Sequence, residues 1–410
     1  MTPAELSRTV LATVHRAVEA GELSAPLPTS VKVEQPRRPG TGDYATGIAL
    51  QLAGPAARPP RAVAEILRAR LATEPGIAGV EIAGPGFLNI SLDAGARTGL
   101  LAAVLAQGTA YGHGDDLAGT AVELRHPHET RAAVTADALA RILRALGADV
   151  TAPGPDRPDL AWAVLGVRPS DDVPGAEARA AQRHAAQGRE IVRVRPVPVR
   201  LTGPHDGPHD DGPAPGSGPQ ALGDGAPAVS QATPAPGATP AAVLAARLGP
   251  DATRWALLRP AGHDHPRITD DLLVQRETNP LFRVRYAHAR ARALVRNAAD
   301  LGFAPDPAAP DPAAGHRAHQ DSAAALLSAL AEYPAVLRSA ARHRAPDRLA
   351  RHLVVLADAF FRFHDTCAVL PRGGEKPEAA HRVRTALAQA AGTVLAGGLH
   401  LLGITAPDML

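Results

Sequence analysis

Asn279-Pro280-Leu281-Phe282-Arg283-Val284-Arg285-Tyr286-Ala287-His288-Ala289-Arg290-Ala291-Arg292 reads as the opening of a helix. Asn279 suits the N-cap, because its side-chain oxygen can accept from an orphan N–H of the first turn. Pro280 follows at the first helical position, where its missing N–H costs nothing. At helical spacing Arg283, Tyr286 and Arg290 share one stripe, while Phe282, Ala289 and Ala293 fall on another face. No acidic residue stands between Glu277 and Asp300, yet Arg283, Arg285, Arg290, Arg292 and Arg296 all do. A rigid helix with a basic stripe and one aromatic suits a flexible, single-stranded nucleic acid. Guanidinium groups hold phosphates and a ring stacks on an unpaired base. The competing reading is a solvated basic face on an ordinary helix.

The rest of the chain bounds what this helix belongs to. A length of 410 residues predicts two or three domains. Net charge is only +2, so no global electrostatic field announces nucleic-acid binding, and only local patches could supply it. Lys32 and Lys376 are the only lysines, so almost all positive charge is arginine. With abundant Ala, Gly and Pro this is a compositional bias, which weakens any argument from arginine counts alone. Cys367 is the single cysteine, excluding an internal disulfide and a cysteine-based zinc site. Met1 to Leu11 lacks the basic-then-apolar pattern of a signal peptide, and no apolar run reaches bilayer length. The expected setting is the cytoplasm, with no membrane partner.

The N-terminal third alternates helix and strand. Thr2 can cap a helix opening at Pro3, with Leu6, Val10, Val14 and Val18 at helical spacing. Val31–Glu34 alternates as a strand, Arg61–Thr73 reads as a helix, and Val80–Ile82 and Phe87–Leu92 read as strands. Gly42-Asp43-Tyr44-Ala45-Thr46-Gly47-Ile48-Ala49-Leu50-Gln51-Leu52-Ala53, followed by Gly84-Pro85-Gly86-Phe87-Leu88-Asn89-Ile90, resembles the additional N-terminal domain of arginyl-tRNA synthetases. In that family the domain rests on the tRNA elbow and D-loop. The resemblance implies Phe87 and Asn89 as nucleotide contacts. An exposed ring can stack on a flipped base and an amide can bond a base edge.

In the middle, Val122–Arg125 reads as a strand and Thr135–Leu146 as a helix, the opening of a mononucleotide-binding Rossmann unit. Asp137-Ala138-Leu139-Ala140-Arg141-Ile142-Leu143 resembles the helix after the first nucleotide-binding motif of class I synthetases. The family's His-x-Gly-His turn is not reproduced. Its four positions hold His126, Pro127, His128 and Glu129, and a carboxylate there should repel phosphate. The family's Lys-x-Ser-Lys loop is absent too, since no lysine lies between Lys32 and Lys376. Arginine is not equivalent to that flexible ammonium. Asp159–Val164 and the Ile191 strand are expected as remnants of a parallel sheet. A Gly/Pro-rich tract from 203 to 240 is expected to be a disordered linker, and its His205, Asp206, His209, Asp210 and Asp211 to be solvated rather than metal-binding.

The C-terminal third is helical throughout. Leu248–Leu258 resembles the family's junction helix, and Asn279–Arg292 resembles its Asn-Pro-x-x-x-x-x-Tyr-Ala-His-Ala-Arg helix. Ala357–Cys367 matches a family stretch in which a tyrosine stands where His364 does, and Leu401–Leu410 resembles the family's terminus. The resemblance implies an anticodon-binding bundle, with Tyr286 and Arg290 on anticodon bases or phosphates and His364 near the loop. Phe360 is expected in the core.

The expected fold is thus an α/β N-terminal module (1–112), a degenerate Rossmann-like α/β centre (113–202), the linker (203–240) and an all-α anticodon-binding bundle (241–410). With two RNA-contacting modules around a centre lacking both signatures, the sequence reads as a catalytically inactive relative of arginyl-tRNA synthetases. Its expected partner is tRNA or a tRNA-like RNA, bound through Tyr286, Arg290, Arg283, His364, Phe87 and Asn89. No cofactor, no metal and no enzymatic activity are expected. A regulatory factor acting through a protein partner is the alternative. An active arginine–tRNA ligase using ATP is disfavoured, because phosphate-positioning groups are not visible.

Overall fold

The computed structural model describes residues 1–34, 36, 41–153, 159–167, 189–199, 239–310 and 317–410. Helix α1 (Pro3–Glu19) opens on a capping box between Thr2 and Glu5 and buries Leu6, Val10, Thr13, Val14 and Ala17. Helices α2 (Ile48–Ala53) and α3 (Pro60–Leu71) join it over an antiparallel sheet of order β1-β3-β2. Its strands are β1 (Tyr44–Thr46), β2 (Ile77–Ala83) and β3 (Phe87–Leu92). Leu88, Ile90 and Leu92 point into this core, so period-two alternation turns Phe87, Asn89 and Ser91 to the other face. The strand expected at Val31–Glu34 reduces to one bridge, Glu34 to Ala45. A three-residue β1 offers it no longer partner.

Helix α4 (Ala94–Gln107), capped by Asp93, leaves this module: its Leu100, Leu101 and Val104 join the larger core. The module sits on helix α9 (Arg317–His343) through Tyr44, whose buried phenol is held well above its usual pKa, chiefly by burial and next by Glu332 of α9. Tyr111 stacks on Tyr333 of α9 nearby.

The centre is a parallel sheet of order β5-β4-β6, comprising β4 (Ala121–Arg125), β5 (Asp149–Thr151) and β6 (Glu190–Arg193). Helix α5 (Thr130–Ala145) connects β4 to β5 and buries Leu139, Ile142 and Leu143. It begins five residues before the expected start, because Glu129 caps it. Asp159–Val164, expected as sheet, forms a turn and the short helix α6 (Ala161–Val164) instead. The Asp159 carboxylate accepts from the Ala161 N–H and so favours the turn. The expected linker lies outside the described residues except for its last two positions, and the His205–Asp211 cluster lies outside them entirely.

The C-terminal bundle comprises α7 (Pro240–Leu258, kinked at Gly249–Pro250), α8 (Pro280–Asp300), α9, α10 (Asp347–Thr366) and α11 (Ala379–Leu401). Helix α8 packs on α11 and α10 through Leu281, Val284, Ala287, Ala291, Leu294 and Ala298. The α8–α11 approach is close enough that a Cβ at Gly392 would stand 3.0 Å from the Ala291 Cβ.

Two buried arginines tie centre to bundle. Arg131 of α5 donates to the carbonyls of Leu257, Val197, Asp264, Pro260 and Ala261, all between 2.7 and 3.1 Å. Arg254 of α7 donates to Leu402 O, Leu165 O and Asp137 Oδ2. Gly403, at φ +70°, leaves room for that guanidinium: a Cβ there would lie 2.4 Å from it. No described helix is long and apolar enough to cross a membrane.

Candidate nucleic-acid interface

Asn279 caps α8 as its sequence requires, accepting from Leu281 N at 3.0 Å and Phe282 N at 3.4 Å. Its amide also donates to Leu272 O and Val274 O, which fixes the incoming loop. The start of α8 is therefore rigid. On its outer side Tyr286 lies between two rings. Phe282 stacks at 5.5 Å and 7° between planes, and Phe361 of α10 at 5.6 Å and 25°. Tyr286 remains 39% exposed, so the stack is open to solvent rather than part of the core.

Cationic and polar groups border this stack. The Arg283 guanidinium lies over Phe361, 5.8 Å from its centroid, and pairs with Asp358 at 2.7 Å. The angle of that pair does not make a hydrogen bond, since Arg283 Nε and Asp358 Oδ1 both stay unpartnered as donor and acceptor. The two side chains are each about a third exposed, although the facing Nε and Oδ1 atoms are themselves buried. Arg290 is exposed and its Nε donates to His364 Nε2 at 3.2 Å. His364 Nε2 is then an acceptor, which places the proton on Nδ1, facing Asp365 Oδ1 at 3.2 Å. Arg283, Tyr286, Arg290 and His364 thus come together on one surface of α8 and α10.

The sequence reading missed Phe282 and Phe361. Phe282 had been set on another face, but a spacing of four leaves it only about 40° from Tyr286. For Phe361, the signal was the spacing within Phe360-Phe361-Arg362-Phe363. Phe360 and Phe363 are buried at three-residue spacing, which turns the intervening Phe361 outward.

Phe87 and Asn89 are on the outer face of the N-terminal sheet, far along the chain from α8. Phe87 is 43% exposed and Asn89 half-buried, flanked in register by Ala45 and Glu81.

The turn after β4 is at the carboxyl end of the parallel sheet, where open α/β sheets take their ligands. His126 and His128 both lie against the buried Trp162, at 5.6 and 5.0 Å between centroids, and the Trp162 indole N–H has no partner among the described residues. Glu129 does not face this opening as expected. Its carboxylate accepts from Arg131 N at 3.0 Å, Ala132 N at 2.7 Å and Val199 N at 3.4 Å. The chain's own carboxylate therefore fills the N-terminus of α5. No group of three or more metal-ligating side chains occurs among the described residues.

An open aromatic stack bordered by guanidinium groups is an arrangement suited to single-stranded nucleic acid. Residues 284–410 match the family model described as the DALR anticodon binding domain, and residues 4–92 match that of the arginyl tRNA synthetase N terminal domain. Curated relatives extend the match to the whole chain. The "Arginine--tRNA ligase" proteins of Kineococcus radiotolerans and Pseudarthrobacter chlorophenolicus are each 31% identical to it in an alignment 559 positions long, gaps included, that spans all of both chains. The chain belongs to the arginyl-tRNA synthetase family. Its fold is similar to that of the Thermus thermophilus arginyl-tRNA synthetase (TM-score 0.60, 18% identity, all of both chains). It is also similar to that of the Plasmodium falciparum enzyme (TM-score 0.59, 8% identity, 100% and 99% of the two chains).

These relatives overturn the expectation of a catalytically inactive, non-enzymatic chain, and with it the alternative of a purely regulatory factor. They are ligases by name, and they match end to end rather than over the RNA-facing modules alone. The inactive reading equated two signature loops with the whole apparatus. What amino-acid activation requires physically is preorganised positive charge and hydrogen-bond donors around the phosphates, and guanidinium and backbone N–H groups can supply both.

Proposed function

We propose that this protein is a cytoplasmic arginine–tRNA ligase that grips its tRNA at two separated surfaces. The observation that carries the reading is the end-to-end match, at 31% identity, to proteins named for that reaction. The α8–α10 surface takes the anticodon loop. An unpaired base extends the Phe282–Tyr286–Phe361 stack, while Arg283 and Arg290 exchange Asp358 and His364 for phosphates. The outer face of the N-terminal sheet takes a second unpaired nucleotide, with Phe87 under the base and Asn89 on its edge. ATP meets the sheet at the turn after β4, where His126 and His128 are the described side chains able to donate to a phosphate oxygen. Because Glu129 is spent on capping α5, those imidazoles face the opening without a free carboxylate between them.

The test is ATP–pyrophosphate exchange with arginine, in the presence and absence of tRNA. Exchange that requires arginine supports the reading. Absence of exchange under both conditions, with tRNA binding intact, would refute it. An H126A/H128A variant separates the two histidines from the recognition surfaces: exchange should fall at least tenfold while tRNA affinity holds.

A further inference from the structure

Helix α8 carries a second row of arginines. Arg285, Arg292 and Arg296 lie about 80–120° around the helix from Tyr286, on the flank opposite the Arg283–Arg290 side. That row is not bare. The segment after α11 runs back along it and is pinned at two points. Thr405 donates from its backbone N–H to Asp251 Oδ1 at 3.1 Å, and from its hydroxyl to the same carboxylate, which also faces Arg285 at 3.8 Å. Three residues further on, Asp408 Oδ1 accepts from Arg292 Nε at 3.0 Å. The Asp408 carbonyl accepts from both terminal nitrogens of Arg296 at 3.4 Å. His288 Nε2 also faces this carboxylate at 3.6 Å, but burial depresses its pKa, so the imidazole adds no charge.

We propose that Asp408 is a built-in stand-in for an RNA phosphate. The 405–408 strap pairs with Arg292 and Arg296 in the free protein and yields them to the tRNA backbone on binding. The proposal rests on the tRNA-binding reading above. Four properties support it. The strap supplies the carboxylate and carbonyl oxygens that a phosphate would supply, at the same donors. Both partners of its ion pair are exposed, Arg292 by 45% and Asp408 by 58%, which makes the pair weak and readily exchanged. A phosphate makes stronger charge-assisted bonds to a guanidinium than this single-oxygen contact. The flank is on the same helix as the aromatic stack, with Arg292 and Arg296 about 9 and 15 Å further along its axis than Tyr286, so RNA seated on that ring reaches them by continuing along α8.

Binding of unfractionated tRNA, followed over a series of salt concentrations, tests the strap. It uses four full-length proteins: wild type, D408N, R292A/R296A, and the triple variant. D408N should bind about three- to fivefold more tightly than wild type. R292A/R296A should bind more weakly, and its plot of log K against log salt should be shallower by about 1.4, since each lost single-strand phosphate contact removes about 0.7. In the arginine-free background D408N should change nothing, because the strap then has nothing to cover. If the D408N gain persists in that background, it is general charge repulsion and the strap idea fails. It fails equally if R292A/R296A binds with wild-type affinity and slope while wild type binds well. If wild type binds no tRNA at low salt, the two-surface reading falls and the strap with it.

Discussion

The C-terminal bundle and the central sheet sit in one continuous core and differ in how they present chemistry. On the bundle, the groups proposed for RNA project from long helices whose other faces are buried. Tyr286 is held by rings on two helices, and its neighbours Arg283 and Arg290 are paired with groups they can leave. In the centre, the described groups near the sheet's carboxyl end come from a short turn. The strongest polar contacts there, those of Glu129 and Arg131, are turned inward to hold the fold. The groups proposed for recognition thus stand on periodic structure, and the central region uses much of its polar inventory to join the domains.

The largest effect should come from breaking that joint. R254M leaves Asp137 with Arg141 as its remaining described partner and strands the Leu165 and Leu402 carbonyls. A loss of about 3–5 kcal/mol in unfolding free energy is expected from urea titration. A loss under about 1 kcal/mol would mean that centre and bundle do not depend on this clamp.

Acid should separate the two regions more gently. His352 is buried between α10 and α9, donates to Ala329 O at 3.0 Å, and has its pKa pushed down to about 4 by burial. Its unfolded value is near 6.5, so the unfolded chain binds the extra proton first as pH falls. Stability contributed by the neutral imidazole is complete above pH 6.5 and is lost between there and about 4, up to about 3 kcal/mol. H352Q should flatten this part of the pH–stability curve. An unchanged slope would assign the acid sensitivity elsewhere.

On the recognition surface, Y286A should weaken tRNA binding by about 1–3 kcal/mol with the melting profile unchanged. F87A should give a loss at the lower end of that range, measured in the same titration. Since the two rings are on separate domains, the double variant should show the sum of the two losses. Marked non-additivity would mean that one surface, not two, holds the RNA.

Much of this was legible in the sequence where pattern and contact are local. The cap at Asn279, the alternation that exposes Phe87 and the Arg283–Tyr286–Arg290 stripe each follow from spacing within one element. Phe361 was not legible as a partner of Tyr286, because their contact spans two helices and depends on how α8 and α10 cross. The full extent of α5 was hidden for a related reason. Glu129 looked like a poor residue for a phosphate turn, and only its three amide partners reveal it as a cap. Activity was the furthest from the sequence. The reading of two signature loops as lost argued against it, whereas the relatives that match end to end carry the name of the ligase.

The most direct measurement is attachment of labelled arginine to tRNA by the purified full-length protein with ATP. The ligase reading expects acid-precipitable arginyl-tRNA that accumulates with time and disappears when ATP is omitted. No product above the ATP-free control, from protein that binds the same tRNA, would contradict it.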